Sequence, residues 1–99
     1  MRITLPHHTT KDNARRIVDR KLDELQSQYS SYVNDVDKSW SGDTLVFSIK
    51  ARGFTGKGTL EVTASEVILD GKLPLLAKPF EPRIKAAVEQ EATQLFPKT

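Results

Sequence analysis

The stretch Gly53-Phe-Thr-Gly56-Lys-Gly58-Thr59 puts glycines, a lysine and a hydroxyl together, as loops that hold nucleotide phosphates do. The register is wrong for that chemistry. Only Phe54 and Thr55 separate Gly53 from Gly56, fewer than a Walker-type G-x-x-x-x-G-K loop requires, and no helix follows. Leu60-Glu-Val62-Thr alternates as a strand instead. With strands on both sides, Gly53 to Gly58 is expected to form a hairpin connection, its glycines supplying positive φ or close backbone approach. Lys50, Arg52 and Lys57 converge on this hairpin with Phe54 at its tip, an arrangement that would let lysines touch phosphates while the ring stacks on a base. The preferred reading is plainer: a solvated hairpin end whose aromatic folds back onto the sheet.

Other reactive residue types give no constellation. His7-His8 is the one histidine cluster, without the HxxxH or HxH spacing of a metal site, and reads as two loop histidines near a helix start. No serine lies in a nucleophile-elbow context. The carboxylates are scattered over exposed faces, without the paired apolar setting of general acid–base work. The chain has no cysteine, which removes disulfides, thiolate metal sites and a thiol nucleophile together. These residues predict no catalytic site, no metal and no cofactor.

The net charge is only +2, and acids are mixed with bases along the chain, unlike the one-signed cluster of a nucleic-acid binder. Pairs such as Asp12/Arg16, Arg15/Asp19 and Arg20/Glu24 read as a solvated helix face. No apolar run approaches the ~20 residues that span a bilayer, and the first residues lack the apolar core of a signal peptide. A cytoplasmic protein of one domain, residues 1–99, is expected.

The elements that would position these residues follow from periodicity. Ile3 and Leu5 alternate with Arg2 and Thr4 as a short strand ended by Pro6. Thr9 is the expected cap of a helix, with Asp12 closing an approximate capping box. Ala14, Ile17, Val18, Leu22, Leu25 and Tyr29 then form one apolar stripe. Tyr32, Val33 and Val36 suggest a strand without a clear register. Ser41-Gly42-Asp43 signals a turn before the alternating strand Leu45, Phe47, Ile49. Beyond the hairpin and a bend at Ala64-Ser65 lie Val67, Leu69 and Leu73, with Gly71 marking a bulge or close approach. Leu73–Pro79 is an apolar connector kept out of regular structure by its prolines, and Phe80, Ile84, Val88, Ala92 and Leu95 recur along a final helix. The order is β-α-β-β-β-β-α. An antiparallel meander with both helices on one face, a two-layer α+β sandwich, is the expected fold.

Several motifs in their order resemble the polyhydroxyalkanoic acid system proteins. Pro6-His7 followed by Ala14-Arg15, then Trp40-Ser-Gly42-Asp43-Thr-Leu45-Val-Phe47, match the family's PH…AR and W-x-G-D-x-L-x-F patterns. Gly53-Phe-Thr-Gly56-Lys-Gly58, Glu66-Val-Ile-Leu69 and Leu73-Pro-Leu-Leu76…Pro79-Phe80 continue the match nearly end to end. Thr10 stands where the family often has a proline that starts the helix. The resemblance implies a role at polyhydroxyalkanoate granules, with partners in the granule surface or its proteins, and brings no catalytic residues. It leaves a homo-oligomer open.

A granule protein must be soluble alone yet offer apolar surface, and Leu75, Leu76 and Phe80 are the candidates for it. Leu73 and Phe80 are expected to point inward, leaving Leu75 or Leu76 nearer the surface; Val46 and Ile68 should lie on the sheet face away from the helices. The competing reading is a small carrier of a lipid or acyl ligand. A wide apolar cavity between Phe47, Leu69 and the last helix would favour the carrier, and a filled core the surface binder.

Overall fold

The computed structural model describes residues 1–51 and 53–97, and of Leu76 the backbone alone. Strand β1, Arg2–Pro6, precedes helix α1, Lys11–Gln28. Four strands follow: β2, Val33–Ser41; β3, Thr44–Ala51; β4, Phe54–Val62; and β5, Glu66–Lys72. A 3-10 helix, Leu75–Phe80, then leads into α2, Glu81–Leu95. The strands form one antiparallel sheet in the order β1-β5-β4-β3-β2. The meander is therefore as expected, and β1 joins it at the far edge beside β5, pairing Ile3 with Leu69 and Leu5 with Val67.

Alternation decides which side chains meet the helices. Leu45, Leu60, Leu69 and Ile3 stand in one cross-strand row, and Val62 pairs with Val67 beside it. Onto this face α1 places Ala14 and Val18, and the end of α2 places Phe96; these join Leu45, Val62 and Val67 in the buried core. Both helices thus lie on one face. On the other, Val46 is exposed and Ile68 half-buried.

The ends of the elements correct several expectations. Helix α1 is capped by Thr10, whose hydroxyl accepts the Asn13 N–H at 3.2 Å; Thr9 instead accepts from the Asn13 side chain. A hydroxyl at either position satisfies the same orphan donors, so the pattern could not separate them. The β3–β4 connection is much tighter than Gly53–Gly58. Gly53 does turn the chain, with φ +84°, but Gly56 and Gly58 lie inside β4 facing the helices. Arg52 falls outside the described residues. The prolines of the connector exclude an α-helix but permit the shorter 3-10 repeat, in which Pro79 sits. Phe80 does not point inward: it is 56% exposed at the junction of the 3-10 helix and α2.

Candidate functional site

Between sheet and helices the core is incompletely filled. A partly open cavity of about 390 Å³ runs under both helices, lined almost entirely by apolar atoms. The sheet supplies Ile3, Leu5, Phe47, Ile49, Leu60 and Leu69; α1 supplies Val18, Leu22 and Leu25; α2 supplies Ile84, Val88 and Leu95. The cavity arises from two sequence features. On β4 the inward positions Gly56 and Gly58 have no side chains, and Gly71 repeats the gap on β5. On α2 the lining also includes Ala87 and Ala92, whose methyl groups leave room between Ile84, Val88 and Leu95.

Gly58 and Gly56 differ in what they allow. A Cβ at Gly58 would fall 2.8 Å from Phe47 Cζ and 2.8 Å from the Asp70 carbonyl oxygen, so glycine is required there. The Phe47 ring occupies that space and forms part of the cavity wall. At Gly56 nothing lies within 4 Å, and a side chain there would enter open room.

Polar groups at the cavity are few. Lys21 of α1 and Glu91 of α2 pair at 3.2 Å and tie the helices together across its roof. Lys57 and Lys72, direct cross-strand neighbours, border it where β5 ends. Thus the acid of the lining is already engaged, and the remaining charge is positive. The arrangement can shelter an apolar chain; it presents no paired acid and base to one. Among the described residues no three histidines, cysteines or carboxylates are grouped to hold a metal. The phosphate-loop look-alike lies in β4 and has no helix N-terminus beside it.

Two polar clusters that the sequence left as bland are structural. His7, read as a loop residue, is only 2% exposed. Its Nε2 bonds the Thr63 carbonyl at 2.9 Å, while Nδ1 accepts the Thr9 N–H at 3.2 Å, so the proton must sit on Nε2. Its ring also packs tilted against Phe96, 6.4 Å between centroids. His8, by contrast, is exposed and turns the chain with φ 55°.

The second cluster clips α1 to β2. Arg15 lies over the Trp40 ring at 4.6 Å, and Trp40 Nε1 donates to Asp19 Oδ1 at 3.3 Å. Lys38 on the inner face of β2 pairs with Asp19 at 2.9 Å and Asp23 at 2.8 Å. The hydrogen bond from Lys38 lowers the Asp19 pKa below the usual aspartate value, outweighing desolvation, with the Trp40 bond adding to it. Partial burial disfavours the Lys38 charge, yet its bonds to Asp23 and Asp19 hold its pKa above the ordinary lysine value. Arg15/Asp19 is therefore not a solvated pair: both residues face β2. Neither Arg15, Asp19, Lys38 nor Trp40 lines the cavity.

The apolar candidates from the connector lie outside the cavity lining. Leu75 is 82% exposed, Phe80 joins it at the surface, and the Leu76 side chain falls outside the described residues. Phe54 does not fold fully back on the sheet; it is 44% exposed at the hairpin tip. A broad depression on the outer sheet face, about 830 Å³, is lined mainly by Asp37, Ser39, Ser48, Lys57, Thr59 and Asp70. More open and more polar than the cavity between sheet and helices, it is the poorer ligand site. Among the described residues no helix is long and apolar enough to cross a membrane.

Comparison with protein families gives one match. The family described as "Putative polyhydroxyalkanoic acid system protein" covers residues 1–96. No curated protein and no solved structure matches the chain.

Proposed function

The chain belongs to the polyhydroxyalkanoic acid system protein family, and from that premise we propose that it binds an acyl chain, such as a hydroxyacyl or lipid chain, between its sheet and its helices. The observation that carries this reading is the cavity. Its volume of about 390 Å³ lies within the ~300–1,000 Å³ of small-molecule sites, and its lining is nearly all apolar. Each methylene moved from water into such a space contributes about 0.8 kcal/mol. The protein acts as a binder rather than an enzyme, because the lining offers shelter without a positioned acid–base pair.

Calorimetric or fluorescence titration with soluble acyl carboxylates tests this. Gly56→Ile, which pushes a β-branched side chain into the open room at the cavity's sheet wall, should weaken binding while the variant stays folded. Absence of saturable binding to the wild-type protein would refute the reading.

A second reading has its own support. Leu75 and Phe80 are large, exposed and close in sequence, as contact with a granule surface would require. Co-sedimentation with polyester granules, wild type against Leu75→Ser/Phe80→Ser, measures that contact. Equal sedimentation of both forms would remove the connector from it.

A further inference from the structure

The exposed large hydrophobic residues are not spread over the molecule. Apart from Val46 in the middle of the outer sheet face, those described are Tyr29, Tyr32, Phe54, Leu75 and Phe80. All five lie in or next to the connections towards one end of the sandwich, Phe54 as the first residue of β4 and Leu75 and Phe80 as the ends of the 3-10 helix. Tyr29 and Tyr32 lie between α1 and β2, where the Tyr29 carbonyl accepts the N–H groups of Tyr32 and Val33. Val33 pairs with Ala51, and Ala51 with Phe54, which brings the β3–β4 tip alongside. Strand β5 ends towards the same side of the sheet, three residues short of the tip, since Lys72 pairs with Lys57, and the connector with Leu75 and Phe80 leaves from there. The opposite end, with His7, Gly42 and Ala64-Ser65, contributes none of the five.

The same end carries a group of basic side chains. Lys50, Lys72, Lys78 and Arg83 lie on the strand ends, the connector and the first turn of α2, Lys57 lies three residues inside β4, and none of the five has an ion-pair partner among the described residues. Lys57 and Lys72 stand directly opposite each other, a like-charge pairing that disfavours the fold itself. The acids there are Asp35, Glu81 and Asp37, which stands in one cross-strand row with Lys57 and Lys72, with Asp70 two residues before Lys72 and Glu24 one turn back along α1; Glu81 is already paired with the N-terminal ammonium at 3.4 Å. Finally, Leu25, Ile49, Gly56, Leu73 and Ile84, from this end of their elements, line the cavity.

We infer that this end docks on an anionic lipid surface, with the cavity facing the layer it touches. Tyrosine and phenylalanine with surrounding lysines suit an interface between apolar chains and anionic head groups: the rings enter the boundary, and the lysines keep their charge at head-group level. A flat polyester surface without charge would use the rings and leave the lysines without a role. Docking would let an acyl chain pass between layer and cavity without crossing water. That purpose rests on the cavity being the acyl site; the surface contact itself does not, and the two are measured separately.

The test is flotation of the full chain with phosphatidylglycerol-containing vesicles and with pure phosphatidylcholine vesicles, alongside titration with a soluble acyl carboxylate. Wild type should float with the anionic vesicles, at least tenfold better than with the neutral ones, and lose the difference in high salt. Tyr32→Ser/Phe54→Ser should cut flotation at least tenfold while binding the soluble ligand as wild type does, which also shows that it is folded. Lys50→Glu/Lys78→Glu, which leaves the rings in place, should lose the preference for anionic vesicles. Equal flotation of wild type and either variant would overturn the inference. So would wild-type binding to lipid-free polyester granules with none to anionic vesicles. Vesicle flotation without soluble-ligand binding would uphold the docking end and refute the acyl-binding function instead.

Discussion

The ring of Phe47 occupies the space above Gly58 that any side chain there would need, with Cζ 2.8 Å from an ideal Cβ. Cross-strand partners in β3 and β4, the two residues set the cavity wall together. Since the Asp70 carbonyl closes the other side at 2.8 Å, Gly58→Ala must move backbone as well as ring. It should cost about 1–3 kcal/mol by overpacking. Gly56→Ala meets nothing within 4 Å and should be neutral or stabilise by about 0.4–1 kcal/mol through the unfolded chain. Urea denaturation midpoints of the two variants check the contrast; equal midpoints would contradict it.

His7→Ala should be among the more damaging single changes outside the cavity. It leaves the Thr63 carbonyl and the Thr9 N–H without their imidazole partner and opens space beside Phe96. Unsatisfied buried polar groups cost about 1–3 kcal/mol each. His8→Ala, at an exposed position with positive φ, should lose much less. Thermal melts of the pair give the comparison.

The clip between α1 and β2 predicts a pH dependence with a definite sign. Because the folded pKa of Asp19 is lowered, its contribution to stability is full above the unfolded aspartate value of about 3.9 and is lost as pH falls through the folded value. Lys38 has a raised pKa, so its contribution is full below about 10.4 and is lost as pH rises through the folded value. Between these limits both are constant. Asp19→Asn should lower stability at neutral pH and flatten its fall in acid, as read from denaturation midpoints between pH 2 and pH 7. An acid limb of unchanged slope in the variant would assign that limb to other groups.

Periodicity made the fold legible because each inward strand position and each helix stripe serves one common core. The alternation of Leu45, Phe47 and Ile49 fixed a face, and Ala14, Val18 and Leu22 fixed what covers it. The β1 edge was not legible, since pairing partners of a five-residue strand leave no mark in its own alternation. Gly56 and Gly58 read as turn residues because glycine next to lysine and threonine signals a loop locally, whereas here their missing side chains shape a wall. Only a cross-strand partner as large as Phe47 reveals that. The cavity itself could be named from the sequence as a question, from Phe47, Leu69 and the last helix, but emptiness is a sum over many side-chain volumes that no single motif carries. Phe80 was misplaced for a related reason: its spacing continues the α2 stripe, yet it precedes the helix in a 3-10 turn, where three residues per turn rotate it outward.

Leu75 supplies a control for all surface claims. At 82% exposure, Leu75→Ser should change stability by no more than about 0.5 kcal/mol. A larger loss in a denaturant titration would mean that this leucine is covered in solution.

The acyl-chain reading is tested most directly by the affinity of a homologous series of straight-chain hydroxyacyl carboxylates. Burial in an apolar cavity contributes about 0.8 kcal/mol per methylene, roughly a fourfold fall in Kd for each carbon added. The account predicts that slope up to the length that fills the cavity, then a plateau, with Gly56→Ile reaching the plateau at a shorter chain. A Kd independent of chain length, or one that keeps falling without a plateau equally in wild type and Gly56→Ile, would contradict it.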